Sequence, residues 1–352
     1  MKTVNLTHLT KQEILKISLK SPEKLFLEVN TEKEIKDAYI KLSFKWHPDK
    51  NLNAIEKTDD VFAHINLLYK KAKDKFKNNT WNKGSLKEFV SLDNKKTIYS
   101  YVNEYEFELG YYLIAANSVA WVISPDFEDL ALNAIKQIEN IKYASDKMKS
   151  EMQKFVPKIT SFIRTQDKQT VVIMERDPNS VLLKDALAYY TKVDAKHVAW
   201  ILSNCYHLCC FLEYNKLMHG GLTIDSLFIN PENHASQLLG GWWFTHRQND
   251  KLRALSAQTL SIAPFNVINS KIALGSLDLE CIRLIGRQLL GDKNGINLVK
   301  NKDIPTPLTQ WLRGASTEDA FKEYDIWYKV LKDSFGVRRF TKMELNPNDI
   351  YN

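Results

Sequence analysis

The chain has 352 residues, of which 44% are hydrophobic and 26% charged, an ordinary composition for a soluble globular protein with room for two domains. No apolar run approaches the roughly 20 residues of a membrane span, and the first residues lack the apolar core of a secretion signal, so a cytoplasmic location and no membrane contact are expected. A net charge of +7 could serve nucleic acid, an anionic membrane face or an acidic protein. The protein partner ranks first and no nucleic acid is expected, because no arginine and aromatic pattern for base stacking accompanies the lysines.

After an N-terminal extension over residues 1–20, the pattern predicts two packed helices within residues 21–78. Thr31 and Glu34 have the spacing of a capping box, which marks the start of a helix. Apolar residues then recur at helical spacing, so that each helix has one apolar stripe and the two can pack antiparallel. The stripes are Ile35, Ala38, Tyr39, Leu42 and Trp46 in the first helix, and Phe62, Ile65, Leu68, Tyr69 and Ala72 in the second.

The tripeptide His47-Pro48-Asp49 follows the first helix directly. Proline cannot continue a helix, because it lacks an N–H and its ring restricts the preceding residue. The imidazole and the carboxylate are therefore expected in a polar turn, with Lys45 and Lys50 on either side. Such a turn is either a rigid contact patch or an ordinary helix stop beside a solvated lysine face.

The stretch EIKDAYIKLSFKWHPDKN closely resembles the second helix and loop of a J domain, the module by which DnaJ-type co-chaperones bind Hsp70. VFAHINLLYKKA resembles its third helix and SPEKLFLEVN its opening segment, and these flanks favour the contact patch. The resemblance implies that the loop docks at the nucleotide-binding domain and interdomain linker of a DnaK-type Hsp70 and stimulates ATP hydrolysis. It assigns to this contact His47, Pro48, Asp49, Lys36, Tyr39, Lys41, Lys45 and Lys50. Ile40 stands at a usually basic position, which is expected to weaken electrostatic attraction or to alter the choice of partner.

A polar linker broken by Gly84 is predicted over 79–95, followed by a larger α+β domain over 96–345. β-type runs come first and long helical segments follow. One long buried helix is expected over 195–221, ending at a glycine pair. Another is expected over 276–292, and residues 346–352 are expected to form an exposed tail.

This order of elements resembles a bilobal protein-kinase-like domain, with an N-lobe over about 96–174 and a C-lobe over about 177–345. A kinase needs a lysine on the phosphates, a base and metal ligands. The resemblance matches Val122 to the strand lysine, Glu151 to the helix glutamate, His219 to the start of the catalytic loop, Gly221 to the base, Ser226 to the metal-binding asparagine and Gly241 to the metal-binding aspartate. Glycine can neither accept a proton nor ligate magnesium. A catalytically inactive pseudokinase is therefore expected, with no catalytic residue, no metal and no cofactor.

Two carboxylates survive near these positions. Asp278 resembles the structural aspartate that braces the catalytic-loop backbone, and the alternative is a helix cap. Asp225 is expected to cap a turn, although as a displaced metal ligand it would fit an active atypical phosphotransferase. Four clustered residues lack the paired spacing of a zinc site: Cys205, His207, Cys209 and Cys210. Cys205 and Cys209 share one face of a helix and are expected in the core.

The sequence thus predicts a multidomain protein, in which an all-α J domain (a helical hairpin with an HPD loop) precedes an α+β kinase-like domain. The predicted function is that of a co-chaperone-like protein that engages Hsp70 and stimulates or hijacks its ATPase, while the second domain binds an unknown client or targets the complex. Such a fusion looks like something a large bacteriophage would encode, which would place it in the host cytoplasm. The alternatives are the atypical phosphotransferase, a generic α+β domain unrelated to kinases, and a nucleic-acid-binding protein that uses the early lysines.

Overall fold

The computed structural model describes residues 10–19, 21–26, 29, 31–50, 59–77 and 85–351. Within them the chain divides into two compact units. The first unit contains the N-terminal helices together with residues 97–102, and the second contains residues 89–96 and 103–351. The predictions that concern residues 1–9, 51–58 and 79–84 lie outside the described residues.

In its described residues, the first unit contains the helices α1 (Lys11–Lys16), α2 (Glu32–Trp46) and α3 (Asp59–Lys77). The predicted capping box starts α2: the backbone N–H of Glu34 donates to Thr31 Oγ1 (3.2 Å), and the N–H of Thr31 donates to Glu34 Oε2 (3.0 Å). The two predicted apolar stripes meet in one core. Its buried members on α2 and α3 are Ile35, Ala38, Leu42, Val61, Ile65, Leu68 and Ala72.

Part of the predicted N-terminal extension belongs to this core, so the structure differs from the predicted boundary at residue 21. Ile14 of α1 is fully buried in the helical core. Lys11 Nζ lies 3.1 Å from Asp60 Oδ1, and His64 Nε2 lies 2.8 Å from the carbonyl oxygen of Ile17. These contacts hold α1 and the residues after it against α3.

The predicted linker also contains a strand. β1 (Ser85–Val90) pairs with β2 (Lys96–Tyr101) in a two-stranded sheet. Asn94, at φ 64°, closes the turn, and the N–H of Ser91 donates to the carbonyl oxygen of Lys95 (3.0 Å). Half of the residues of β1 are exposed, and Phe89 is its one buried residue, which explains why its sequence resembles a linker.

The second unit begins with a five-stranded antiparallel sheet, in the order β3-β4-β5-β7-β6. Its strands are β3 (Asn103–Phe107), β4 (Gly110–Ile114), β5 (Ser118–Ile123), β6 (Ile159–Arg164) and β7 (Thr170–Glu175). Two helices, α4 (Glu128–Glu139) and α5 (Asp146–Met152), lie in the chain between β5 and β6. The expected β-rich part is therefore present, but its large sheet starts at Asn103.

A mainly helical part follows. Its strands are β8 (Val181–Leu182), β9 (Leu217–Met218), β10 (Leu227–Asn230), β11 (Ala235–Leu238) and β12 (His246–Arg247), and its helices are α6 (Leu183–Tyr190), α7 (Ala195–Tyr214), α8 (Ala257–Leu260), α9 (Phe265–Ser270), α10 (Ser276–Leu289), α11 (Thr306–Arg313), α12 (Ala320–Phe335) and α13 (Asn348–Tyr351). The short strands form two small sheets, β11-β10-β8 and β12-β9. The buried helix predicted over 276–292 corresponds to α10.

The long helix predicted over 195–221 ends early, at Tyr214. Asn215 Nδ2 donates to the carbonyl oxygen of Phe211 (3.1 Å), and Lys216 takes a left-handed φ of 57°, which stops the helix. The glycine pair therefore follows β9 and does not cap a helix.

The prediction of an exposed tail over 346–352 is wrong for its described residues. Tyr351 is 6% exposed, and its hydroxyl accepts from the N–H of Leu182 (2.8 Å) and donates to Asp185 Oδ2 (2.9 Å). The Arg176 guanidinium lies 5.0 Å from the centroid of the Tyr351 ring. Tyr351 is thus a packed residue of the second unit.

Candidate functional site

The HPD loop is a rigid turn that begins where α2 ends. His47 caps α2 in an extended conformation (φ −64°, ψ 128°), as expected for a residue that precedes proline. Pro48–Lys50 then form one turn of 3-10 helix, and the N–H of Lys50 donates to the carbonyl oxygen of His47 (3.1 Å). The tripeptide therefore has a defined shape that does not depend on a bound partner.

His47 and Asp49 are held together within this turn. The backbone N–H of Asp49 donates to His47 Nδ1 (3.2 Å), and Asp49 Oδ2 lies 3.7 Å from the same nitrogen. In the neutral ring this assigns the proton to Nε2, because Nδ1 is the acceptor. The imidazole edge packs on Phe62 of α3, with 5.1 Å between ring centroids. The His47 side chain is 42% exposed and that of Asp49 83% exposed, so both present polar atoms to solvent from a fixed position.

The contacts between α2 and α3 show that the two helices are antiparallel. Tyr39 stacks on Tyr69 (centroids 3.9 Å apart, planes 9° apart) and donates to Asn66 Oδ1 (2.8 Å), whereas His47, further along α2, meets the earlier residue Phe62. Tyr39 is therefore only half exposed, and both its ring and its hydroxyl contribute to helix packing. Among the residues that the resemblance assigns to Hsp70 contact, Tyr39 has this second, structural role.

The remaining assigned residues form a basic face with an apolar centre. Lys36, Lys41 and Lys50 are exposed, and Lys45 is half-buried with its Nζ 5.0 Å from the Trp46 ring centroid. The apolar centre comprises two residues of α2, Ile40 (52% exposed) and Phe44 (66% exposed). Lys50 Nζ lies 3.0 Å from the Phe44 ring centroid, so a cation covers part of this aromatic ring.

A second candidate site is a cleft in the second unit. Gly221, Asp225, Ser226 and Gly241 line a cavity of about 250 Å³ together with aromatic residues of β3, β4 and β5. The structure thus brings together three of the residues that the kinase resemblance matched.

His219 and Asp278 form the buried support of this cleft. Asp278 Oδ2 accepts from the N–H of His219 (2.6 Å), and Oδ1 accepts from the N–H of Gly220 (2.8 Å). Burial raises the pKa of Asp278 to about 6, although both hydrogen bonds oppose the shift. Burial likewise lowers the pKa of His219 to about 3, so its ring is neutral, and Nδ1 accepts from the N–H of Gly221 (3.2 Å). Asp278 braces the loop backbone, so its role is structural.

The positions matched to the base and to the metal ligands hold no free ligand group. Gly241 adopts φ 80°, and a Cβ there would lie 2.6 Å from His219 Cε1. Ser226 is buried, and its hydroxyl donates to the carbonyl oxygen of Thr223 (3.0 Å) and accepts from the N–H of the same residue (2.9 Å). The Ser226 hydroxyl therefore closes its own turn.

Val122 does not face the cleft, contrary to the sequence match. Its neighbour Trp121 lines the cleft, with its ring centroid 4.3 Å from that of Tyr112 and 4.7 Å from that of Trp243. Successive strand residues point to opposite faces, so Val122, which pairs with Tyr111, points away. Trp121 therefore occupies the side of β5 that faces the cleft. Sequence reasoning missed it because all residues of β5 after Ser118 are buried and apolar.

Glu151 does not line the cleft either, contrary to the sequence match. It is exposed on α5 and lines a different groove, together with His207 and Tyr324. The helix that packs on the turn at 242–244 is α4, from which Asn133 Nδ2 donates to the carbonyl oxygens of Trp243 (3.3 Å) and Thr245 (2.9 Å). Asn133 is therefore the residue that links the helix to the cleft.

Asp225 is the one predicted carboxylate that lines the cleft. Its Oδ1 lies 2.6 Å from Lys184 Nζ, and both side chains are partly exposed. Its backbone N–H also donates to Thr223 Oγ1 (3.2 Å). Asp225 is thus part of a turn and of an ion pair.

The cysteines lie in or beside the core. Cys205, Cys209 and Cys281 are buried free thiols, and burial raises the pKa of Cys205 to about 12. Within the part of the chain that the structure describes, no cluster of three or more His, Cys, Asp or Glu residues could hold a metal ion. In the same residues, no helix is long and apolar enough to cross a membrane.

Comparison with known proteins assigns a family to the N-terminal part of the chain. The family model described as "DnaJ domain" matches residues 26–82. The chaperone protein DnaJ of Dichelobacter nodosus (strain VCS1703A) is 44% identical over 50 residues, which cover 14% of this chain and 13% of that relative. The chain therefore spans only a small fraction of the relative that it matches. Residues 26–82 form a J domain, and the mixed α/β region that follows has no assigned family.

Proposed function

With residues 26–82 as a J domain, which implies an Hsp70 partner, we propose that this protein engages a DnaK-type Hsp70 through His47, Pro48 and Asp49 and stimulates or hijacks its ATPase. The observation that carries the proposal is the pre-formed turn in which Asp49 donates to His47 Nδ1 (3.2 Å) between two antiparallel helices. The exposed Lys36, Lys41 and Lys50 supply charge that attracts an acidic docking surface. No group transfer by this chain is required, because the partner hydrolyses the ATP.

The test is the steady-state ATPase rate of a DnaK-type Hsp70 with the intact protein and with His47→Gln. The intact protein is expected to change the rate, and the variant is expected to leave the basal rate. Asp146→Asn, an exposed residue on α5, is a control that should behave as the intact protein does. Equal rates for the intact protein and for His47→Gln would overturn the proposal. If the intact protein binds Hsp70 and lowers the rate in a His47-dependent way, sequestration is the correct form of it.

For residues 103–351 we propose a degenerate kinase-like module that does not transfer phosphate and that holds or positions cargo. Three observations support this. A five-stranded antiparallel sheet with one helix packed on the turn at 242–244 precedes a helical part, Asp278 braces the 219–220 backbone, and Trp121 fills the side of the cleft that a lysine would need. A cavity of about 250 Å³ is also below the roughly 300 Å³ of the smallest usual ligand pockets.

An atypical phosphotransferase is the second candidate, favoured by Asp225, whose carboxylate lines the cleft. A thermal-shift measurement with MgATP, followed by a labelled-phosphate transfer assay, separates the two. We expect neither stabilisation nor transfer. A nucleotide that binds the folded protein must stabilise it by mass action, so an unchanged melting temperature would mean that MgATP does not bind. Transfer that is lost in Asp225→Asn and retained in Asp126→Asn would replace the inactive module with the phosphotransferase.

A further inference from the structure

A second groove within residues 103–351 shares no lining residue with the cleft described above. It is formed by α5, the 3-10 turn at Gln153–Phe155, α7 and α12. Its cavity volume is about 660 Å³, well inside the range of about 300–1,000 Å³ that is typical of ligand pockets. Its apolar lining comprises Met148, Met152, Phe155, Phe211, Tyr214 and Phe321.

The groove combines a fixed floor with an exposed apolar rim. Phe155 and Phe211 are each 2% exposed, and Phe211 stacks on Tyr143 (centroids 5.4 Å apart). At the rim, Phe321 is 52% and Tyr214 is 44% exposed. Exposed aromatic residues that continue a buried apolar floor are typical of a protein-interaction site. The two methionines are unbranched and can adapt to side chains of different shape.

The electrostatic field of the groove is positive at the α5 end. Lys147 and Lys154 line it, and Glu151 is the one carboxylate among the described lining residues. The pKa of His207, at the floor, is lowered first by burial and then by the charges of Lys154 and Arg338. Two basic side chains thus act on a residue at the floor of the groove.

The α12 end differs, because the carboxylates of Glu213, Asp319 and Asp325 act there on Cys210. The carboxylates of Glu213 and Asp319 accept hydrogen bonds from the backbone at the start of α12. Glu213 Oε2 accepts from the N–H of Ala320 (2.7 Å), and Asp319 Oδ1 accepts from the N–H of Lys322 (2.9 Å). Of the charged side chains that line the groove, two are lysines and one is the carboxylate of Glu151. This excess of positive charge at the α5 end fits an acidic group at one end of an apolar ligand.

We propose that this groove binds a short apolar peptide segment of a client protein, with aromatic or aliphatic side chains between the methionines and phenylalanines and an acidic residue at Lys147 and Lys154. The inference rests on the proposed cargo-binding role of residues 103–351. It assigns to that role a place in the fold and a class of ligand. A client held there is tethered through one chain to the J domain, which raises its effective concentration near the Hsp70.

The test uses the full-length protein and three fluorescein-labelled peptides in an anisotropy titration. The first peptide is composed of leucine, phenylalanine and glutamate, the second has lysine in place of glutamate, and the third has serine in place of leucine and phenylalanine. The first is expected to bind at least about tenfold more tightly than the second, a difference of roughly 1.4 kcal/mol that shrinks as salt screens the charges. The third is expected not to bind.

Two variants address the groove itself. Phe321→Ser removes an exposed rim residue and should weaken binding of the first peptide, whereas Phe265→Ser, 81% exposed on α9, is the matched control and should not. Lys154 is exposed, and Lys154→Gln leaves the apolar surface intact. This variant should therefore reduce only the preference for the glutamate peptide over the lysine peptide. Equal binding of all three peptides, or equal effects of Phe321→Ser and Phe265→Ser, would overturn the inference.

The ATPase assay on the same preparation separates this inference from the proposed function. His47-dependent stimulation of Hsp70 without peptide binding would overturn the groove as a client site and leave the J-domain function standing. Peptide binding with no His47-dependent effect on the ATPase would overturn the proposed J-domain function and leave the groove standing as a peptide-binding site.

Discussion

Gly221 and Gly241 meet backbone to backbone at the base of the cleft. A Cβ added to Gly221 would lie 2.8 Å from the Cα of Gly241, and a Cβ added to Gly241 would collide with the carbonyl oxygen of Gly221. Neither position has room for a side chain. In the proposed kinase-like arrangement these are the positions of the base and of a metal-binding aspartate, so the packing that brings the two loops together also excludes both carboxylates.

Gly241→Asp is therefore expected to destabilise the protein and not to restore catalysis. The substitution combines a left-handed φ of 80° with contacts to backbone atoms that cannot move aside, at a cost of about 3 kcal/mol or more. Urea unfolding measures the loss, and Gly314→Ala is the control, since its Cβ would meet nothing closer than 3.5 Å. A Gly241→Asp variant as stable as the original protein would show that the two loops separate freely.

Asp278 is expected to make stability fall as pH rises. Its folded-state pKa of about 6 lies above the ordinary value of 3.8, so the folded state binds the proton more tightly than the unfolded state. The stabilisation by this proton is fully present below about pH 4 and is lost as pH rises through about 6. The loss amounts to about 3 kcal/mol.

The measurement is the free energy of unfolding at several pH values for the original protein and for Asp278→Asn, which cannot titrate. The asparagine leaves one backbone N–H without its acceptor at every pH, so the variant has a constant penalty. The difference between the two proteins should change between pH 4 and pH 7. Parallel curves would contradict the raised pKa.

Tyr39→Phe is expected to cost stability and to leave the response to Hsp70 largely intact. The variant loses the hydrogen bond of 2.8 Å to Asn66 but keeps the ring stacked on Tyr69, a cost of about 1 kcal/mol. A double-mutant cycle with Asn66→Ala isolates the pairwise energy by thermal or urea unfolding. Unchanged stability with lost ATPase stimulation would instead assign the hydroxyl to the partner interface.

Ile40→Lys is expected to make Hsp70 binding more salt-dependent. Ile40 is 52% exposed on the basic face of α2, so a lysine there adds charge without disturbing the core. Affinity for a DnaK-type Hsp70 should rise by about 0.5–1 kcal/mol at low salt and return to the original value at high salt. Leu67→Lys, 49% exposed on α3, is the matched control. If Hsp70 affinity depended on salt concentration equally for Ile40→Lys and Leu67→Lys, position 40 would lie outside the interface.

The helical part and its loop could be predicted because their signals are local. The capping box joins Thr31 to a residue three positions away, and the proline at 48 ends α2 through its own ring. The end of that helix then fixes the position of the loop residues, which follow it directly. The contacts of Tyr39 and His47 also needed the partner helix: Tyr39 meets Asn66 and Tyr69, 27 and 30 positions away, and His47 packs on Phe62.

The second unit was less predictable, for a geometric reason. β5 is buried on both faces, so nothing in its sequence tells which residues face the cleft, and a shift of one residue exchanges Val122 for Trp121. The prediction of which helix residue lies beside the cleft was wrong for a similar reason. Asn133 and Glu151 lie on two consecutive helices, and only packing against residues 243–245 selects Asn133.

The sequence by itself determined that an imidazole, a proline ring and a carboxylate follow a capped amphipathic helix, since helix starts and stops are set by neighbouring residues. Only the tertiary structure decided that Gly221 and Gly241 touch, that Trp121 lines the cleft and that Tyr351 is buried against Asp185. Those contacts join segments far apart in the chain, and their geometry comes from the packing of whole elements, which no local pattern encodes.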